Sequence, residues 1–88
     1  MLLKDRVAIV TGSGRGMGKA IAECYAEQGA CVAVVARTED QINATAQGIN
    51  ERGGKAIPLV ADISDLGDIR TMVDRTVEKF DRVDILVN

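Results

Sequence analysis

The segment Thr11-Gly12-Ser13-Gly14-Arg15-Gly16-Met17-Gly18 has a composition and spacing that could do chemistry. Glycine permits positive φ in a tight turn, and without a Cβ it lets an anion approach backbone N–H groups at the positive end of a helix. A diphosphate is the natural guest of such a loop. The competing reading is a glycine-rich turn that holds no ligand. Three loop types can be compared. The phosphate loop of nucleotide triphosphatases, G-x-x-x-x-G-K-[ST], nearly fits residues 13–20, with Gly18-Lys19 in place. Ser13 replaces its first glycine, and Ala20 replaces the hydroxyl residue that would hold magnesium, so that reading fails on chemistry. The G-x-G-x-x-G fingerprint, counted from Gly12 and Gly14, puts Met17 where its third glycine belongs. The spacing that fits is T-G-x-x-x-G-x-G, at Thr11, Gly12, Gly16 and Gly18.

Such a loop needs a strand to deliver it and a helix to carry its amides. Short apolar runs with β-branched residues at 7–10, 32–36, 56–60 and 83–87 predict four strands. Their lack of in/out alternation is what parallel strands covered on both faces require. Between them lie helical stripes. Met17, Ile21 and Cys24, with Ala20, form the first, closed by Gly29; Ile42, Ala46 and Ile49 form the second, closed by Gly53-Gly54. The third comprises Ile69, Met72, Val73, Thr76, Val77 and Phe80, with Ser64 or Asp65 as its cap. Pro58, the sole proline, makes the third strand an edge. The order β-α-β-α-β-α-β predicts an α/β fold, the first half of a Rossmann-like doubly wound parallel sheet with strand order 3-2-1-4. Ligands bind such sheets where the order reverses, here near Thr11 and Asn88.

The 88 residues carry 11 basic and 13 acidic side chains, a net charge of −2, with one Tyr and one Phe as the only aromatics. Neither the basic footprint nor the stacking platforms of a nucleic-acid binder are present, so no nucleic-acid partner is expected. No apolar run of about 18 residues or more and no signal peptide occur, so a cytoplasmic protein with no membrane partner is expected. Cys24 and Cys31 lack CxxC spacing and no His is present; buried, reduced thiols are expected, and no metal site. Glu51 and Arg52, and Asp74, Arg75, Glu78 and Lys79, read as solvated helix faces.

With its glycine motif, Asp62 after the third strand, and Asp84-Ile-Leu-Val-Asn88, the chain resembles the short-chain dehydrogenase/reductase family over its whole length. The last stretch looks like the start of D-x-L-V-N-N-A-G. The resemblance implies a dinucleotide ligand, contacted by Gly12, Ser13, Arg15, Gly16, Met17 and Gly18. It implies that Asp62 accepts from the adenine amino group, and the Ile63 amide could donate to the neighbouring ring nitrogen. Asp62 could instead cap the third helix, or do both. Asn88 is expected to tie strands together at the site. NAD-preferring enzymes usually carry Asp or Glu at the end of the second strand. Here Ala36 is followed by Arg37 and Thr38, and Arg15 lies in the loop. NADP(H) is therefore expected in preference to NAD(H), although each arginine also reads as a solvated charge or a partner for an acid such as Glu39.

The resemblance further implies hydride transfer between nicotinamide and a small carbonyl or alcohol substrate, with a Y-x-x-x-K tyrosine and a serine handling the proton. Tyr25 is followed four residues later by Gly29, so it is not that tyrosine, and no catalytic residue is assigned. Residues 1–88 read as a partial NAD(P)-binding domain, truncated after the fourth strand and inactive alone. The alternatives are a stand-alone dinucleotide-binding module without catalysis, or a scaffold in which the loop is a relic. An apolar fourth strand left as an edge predicts a homo-oligomer.

Overall fold

β-branched residues suit a pleated surface covered by side chains, and they dominate β1 (Val7–Thr11) and β2 (Cys31–Ala36). The computed structural model describes residues 1–88 and adds α1 (Gly16–Glu27), α2 (Glu39–Glu51), β3 (Lys55–Val60), α3 (Leu66–Phe80) and β4 (Ile85–Val87). The four strands form one sheet in the order β3-β2-β1-β4. All pairings are parallel, with Val7 opposite Cys31, Ala8 opposite Ile85, and Cys31 opposite Lys55. The expected topology is the observed one. No helix is long and apolar enough to cross a membrane.

The central strands are apolar on both faces because each face has its own core. Val10, Val32 and Val34 pack with Ala22 of α1 and Ile42, Ala46 and Ile49 of α2. Ile9, Ala33 and Val35 meet Met72 of α3 and Ala61. The outer strands depart from the expectation of full cover. Lys55, Pro58 and Val60 of β3 are exposed, and β4 starts at Ile85 rather than at 83. Val83 instead packs under the second core.

Helix faces also need correction. On α1 the fully buried residue is Ala22, while Met17 and Cys24 are exposed and Cys31 is half-buried. Gly18 rests on the loop backbone at Gly12 and Ser13, and Ala22, four residues on, packs in the core, which leaves Met17 and Cys24 on the outer side of the helix. On α2 the expected stripe is buried in full, together with Thr45. On α3, Met72 and Thr76 are buried, whereas Val73 and Val77 lie on the exposed flank. Asp65 supplies the α3 cap, its Oδ1 accepting from the Asp68 N–H at 3.1 Å.

Pro58 does mark an edge, and two side chains complete its protection. The Ala61 N–H bonds to the Ala36 carbonyl, so odd-numbered β3 residues point to β2 and even-numbered ones point outward. At Ala56 the Asn50 carboxamide accepts from N–H at 2.9 Å and donates to C=O at 3.0 Å, as a neighbouring strand would. Pro58 has no N–H, and the Asp62 N–H donates to the Asp68 carboxylate at 2.9 Å. Blocked edges of this kind resist pairing with another chain.

At the opposite edge, Asp84 holds the start of β4 to β1. Its N–H donates to the Val7 carbonyl at 2.8 Å, and its carboxylate accepts from the Val7 N–H at 2.9 Å and from Arg82 Nε at 2.8 Å. The Val7 amide, then Arg82, hold the Asp84 carboxyl below the usual carboxylate range. A depressed carboxyl contributes stability that is complete above the usual range and is lost as pH falls through its value in the folded state. The melting temperature is therefore expected to fall on acidification below the usual carboxylate range, and Asp84→Asn to reduce that dependence. An unchanged pH slope in the variant would remove Asp84 from the account.

Candidate functional site

The turn after β1 is fastened from three sides. The Thr11 hydroxyl lies 3.1 Å from the Val87 carbonyl and 3.3 Å from Asn88 Oδ1, which it can donate to in turn, so the ends of β1 and β4 are joined. Asn88 thus makes the strand-tying contact expected of it. Ser13 differs from its expected role. It is fully buried, its hydroxyl donates to the Val10 carbonyl at 2.6 Å and accepts from the Val35 N–H at 3.0 Å, and its own N–H donates to the Val35 carbonyl at 3.1 Å. Both of its donors are engaged within the sheet, so Ser13 positions the loop and offers no donor to a ligand. The third fastening is Thr45 of α2, whose hydroxyl lies 3.5 Å from the Gly14 carbonyl and 3.1 Å from that of Gln41.

Two glycines meet structural demands that no other residue meets. Gly12 has φ +65, and a Cβ there would meet no atom within 4 Å, so its backbone faces open space. Gly18 is the opposite case. A Cβ on it would overlap the Gly12 carbonyl oxygen and lie 3.1 Å from Ser13 Cα, so the first turn of α1 rests directly on the loop.

The amides from Gly14 to Gly18 have no acceptor in the protein, and α1 has no side-chain cap at Arg15. Unpaired N–H groups at a helix N-terminus favour an anion. Met17 contributes to this set through its amide alone, since its side chain is 79% exposed. In front of the loop lies an open cleft of about 520 Å³, walled by Gly12, Gly14 and Arg15, by Arg37, Thr38 and Gln41, and by Asp62 and Ile63. Ala36 and Ser64 complete it, and no carboxylate stands at the end of β2. Arg15 and Arg37 are both exposed, and neither is in an ion pair; Glu39 is not the partner of Arg37. Arg52, by contrast, does pair, at 3.1 Å with Glu23.

Asp62 does not cap α3. Its Oδ1 accepts from the Ser64 hydroxyl at 2.7 Å and from the Ser64 N–H at 2.9 Å. Those two bonds, the hydroxyl first, together with the positive charge of Arg37, hold the Asp62 carboxyl below the usual carboxylate range. It is an acceptor at any physiological pH. The Ile63 N–H beside it has no acceptor in the protein. The residues to which sequence reading assigned no role at the site are Gly14, Gln41, Thr45 and Ser64, the last read only as a possible cap of the third helix. Gly14, Gln41 and Thr45 matter through contacts between α2 and the loop, which no spacing rule encodes. The Asp-x-Ser sequence at 62–64 is a local signal that could have revealed the turn at Ser64.

The family model described as short chain dehydrogenase matches residues 6–88. The (2S)-[(R)-hydroxy(phenyl)methyl]succinyl-CoA dehydrogenase subunit BbsD of Thauera aromatica is 41% identical over 88 residues, which is 100% of this chain and 36% of the relative. Hydroxysteroid dehydrogenase-like protein 2 of Danio rerio is 43% identical over 86 residues, 90% of this chain and 21% of that protein. The crystal structure of hydroxysteroid dehydrogenase from Escherichia coli has a TM-score of 0.95 at 37% identity, covering 98% of this chain and 36% of that one. A 7α-hydroxysteroid dehydrogenase complexed with NADH and 7-oxo glycochenodeoxycholic acid has a TM-score of 0.96 at 37% identity, covering 98% and 34%. The chain thus spans between 21% and 36% of the length of these relatives.

Proposed function

The chain belongs to the short chain dehydrogenase family, and on that premise we propose that it is the amino-terminal, cofactor-binding portion of an oxidoreductase acting on a carbonyl or alcohol with NADP(H). The observation that carries the proposal is the row of unpaired amides from Gly14 to Gly18 at the uncapped start of α1, whose first members, Gly14 and Arg15, line the cleft. A dinucleotide fits these residues. The amides and the open backbone at Gly12 suit a pyrophosphate, the ionised Asp62 and the free Ile63 N–H suit an adenine edge, and the volume is that of a small-molecule site.

On this reading Gly12, Gly16, Gly18 and the Met17 amide hold the pyrophosphate, and Ser13 keeps the loop against β2. Arg15, Arg37 and Thr38 face a 2′-phosphate, supported by the absence of an acid at Ala36 and of ion pairs on either arginine. Asn88 and Thr11 keep β4 beside the loop. When bound, the nicotinamide supplies or accepts the hydride. Tyr25 is half-buried against the core and has no part in it.

Titration calorimetry of the protein with NADPH and NADH tests the proposal. Micromolar binding of NADPH with weaker binding of NADH is expected. Absence of heat with either at millimolar ligand would overturn it and favour a relic loop. Hydride transfer to generic carbonyl substrates separates an intact enzyme from both a cofactor-binding portion and a dinucleotide-binding module, and the 88 residues alone are expected to show none.

A further inference from the structure

Gly14 lies outside the T-G-x-x-x-G-x-G pattern and has no positive φ to explain it. Its neighbour explains it. A Cβ on Gly14 would stand 2.9 Å from Gln41 Cβ and 3.0 Å from Gln41 Oε1, so the Gln41 side chain lies across the loop. Gln41 also walls the cleft beside Arg37 and Thr38, whereas the nearby Glu39 faces a different groove, shared with Ile42 and Pro58. Its side chain is half-buried, yet its carboxamide makes no hydrogen bond within the protein, although Thr45 holds its backbone carbonyl. Residues 36–41 therefore present to the cleft one cation, one hydroxyl and one unpartnered carboxamide, and no carboxylate.

We infer that Gln41 is a specificity-determining residue whose carboxamide contacts the 2′ substituent of the adenosine ribose, working with Arg37. The inference rests on the proposed dinucleotide reading. A carboxamide donates to a phosphate oxygen and both donates to and accepts from a hydroxyl, so it serves either form of the ribose. A carboxylate at the same position accepts from a 2′-hydroxyl and repels a 2′-phosphate. Glutamine at 41 leaves the 2′-phosphate admissible while Arg37 supplies the attraction.

The probes are adenosine 2′,5′-bisphosphate and adenosine 5′-monophosphate, titrated into the protein and into Gln41→Glu and Gln41→Ala variants. Gln41→Glu is expected to weaken the bisphosphate by about tenfold or more, the effect of losing a hydrogen bond to a charged group, while leaving the monophosphate within about twofold. Gln41→Ala is expected to weaken the bisphosphate several-fold. Equal loss of both probes in both variants would reduce Gln41 to a buttress for Gly14 and overturn the inference. So would unchanged binding of both. A wild-type protein that binds neither probe overturns the proposed function itself, and this inference with it. Unaltered melting temperatures in both variants show that binding, and not folding, is being read.

Discussion

Gly18→Ala is expected to abolish dinucleotide binding at ligand concentrations that saturate the wild type, and to destabilise the fold by about 1–3 kcal/mol, the usual cost of overpacking. The added methyl group would occupy the space of the Gly12 carbonyl oxygen, with Gly12 C at 2.7 Å and Ser13 Cα at 3.1 Å. All three are backbone atoms, so no side chain can rotate away. Either α1 moves off the loop or the loop moves off β2, where the Ser13 hydroxyl pins it to Val10 and Val35. Both displacements scatter the amides that must converge on one anion. Chemical denaturation gives the stability change and calorimetry gives the binding. Wild-type affinity in a folded Gly18→Ala protein would show that the contact between helix and loop is dispensable.

Arg37→Asp should produce the second large effect, and a selective one. The guanidinium lies at the cleft, exposed, without an ion-pair partner, and close enough to Asp62 to lower its carboxyl pKa. Losing a charge-assisted contact to a phosphate costs about 1.5–3 kcal/mol, or roughly tenfold to more than a hundredfold in affinity, and the new carboxylate adds repulsion. NADH carries a 2′-hydroxyl in place of the phosphate, so its binding should change little or improve. Dissociation constants for the two dinucleotides, measured on wild type and variant, decide the matter. Equal losses for both would remove the basis for preferring NADP(H).

Most of the architecture was legible because its signals are local. Four apolar runs, three helical stripes and one proline lead to a parallel sheet in the order 3-2-1-4, and the structure has that order. The second stripe, Ile42, Ala46 and Ile49, is buried as expected because it consists of branched and small apolar residues on one face. The first stripe misled because a search for large apolar residues overlooks Gly18 and Ala22, whose smallness brings the helix close. Met17 and Cys24 looked like core residues and are exposed. Of the residues expected at the site, Gly12, Arg15, Arg37, Thr38, Asp62 and Ile63 line one cleft, whereas Ser13, Gly16, Met17, Gly18 and Asn88 do not. The spacing could not tell that Ser13 turns inward, since its partners Val10 and Val35 belong to two strands whose register arises only on folding. Gln41 was hidden for the same reason, because its relation to Gly14 is a contact between a helix and a distant turn.

The central claim is that the free amides of Gly14 to Gly18 receive an anion. Its most direct test is to follow their backbone N–H resonances while NADPH is added to isotopically labelled protein. The account predicts large, saturable shifts at Gly14, Arg15, Gly16, Met17 and Gly18, with the Ser13 amide little changed because it is already bonded to Val35. Loop resonances that stay in place at millimolar NADPH in a folded protein would contradict it.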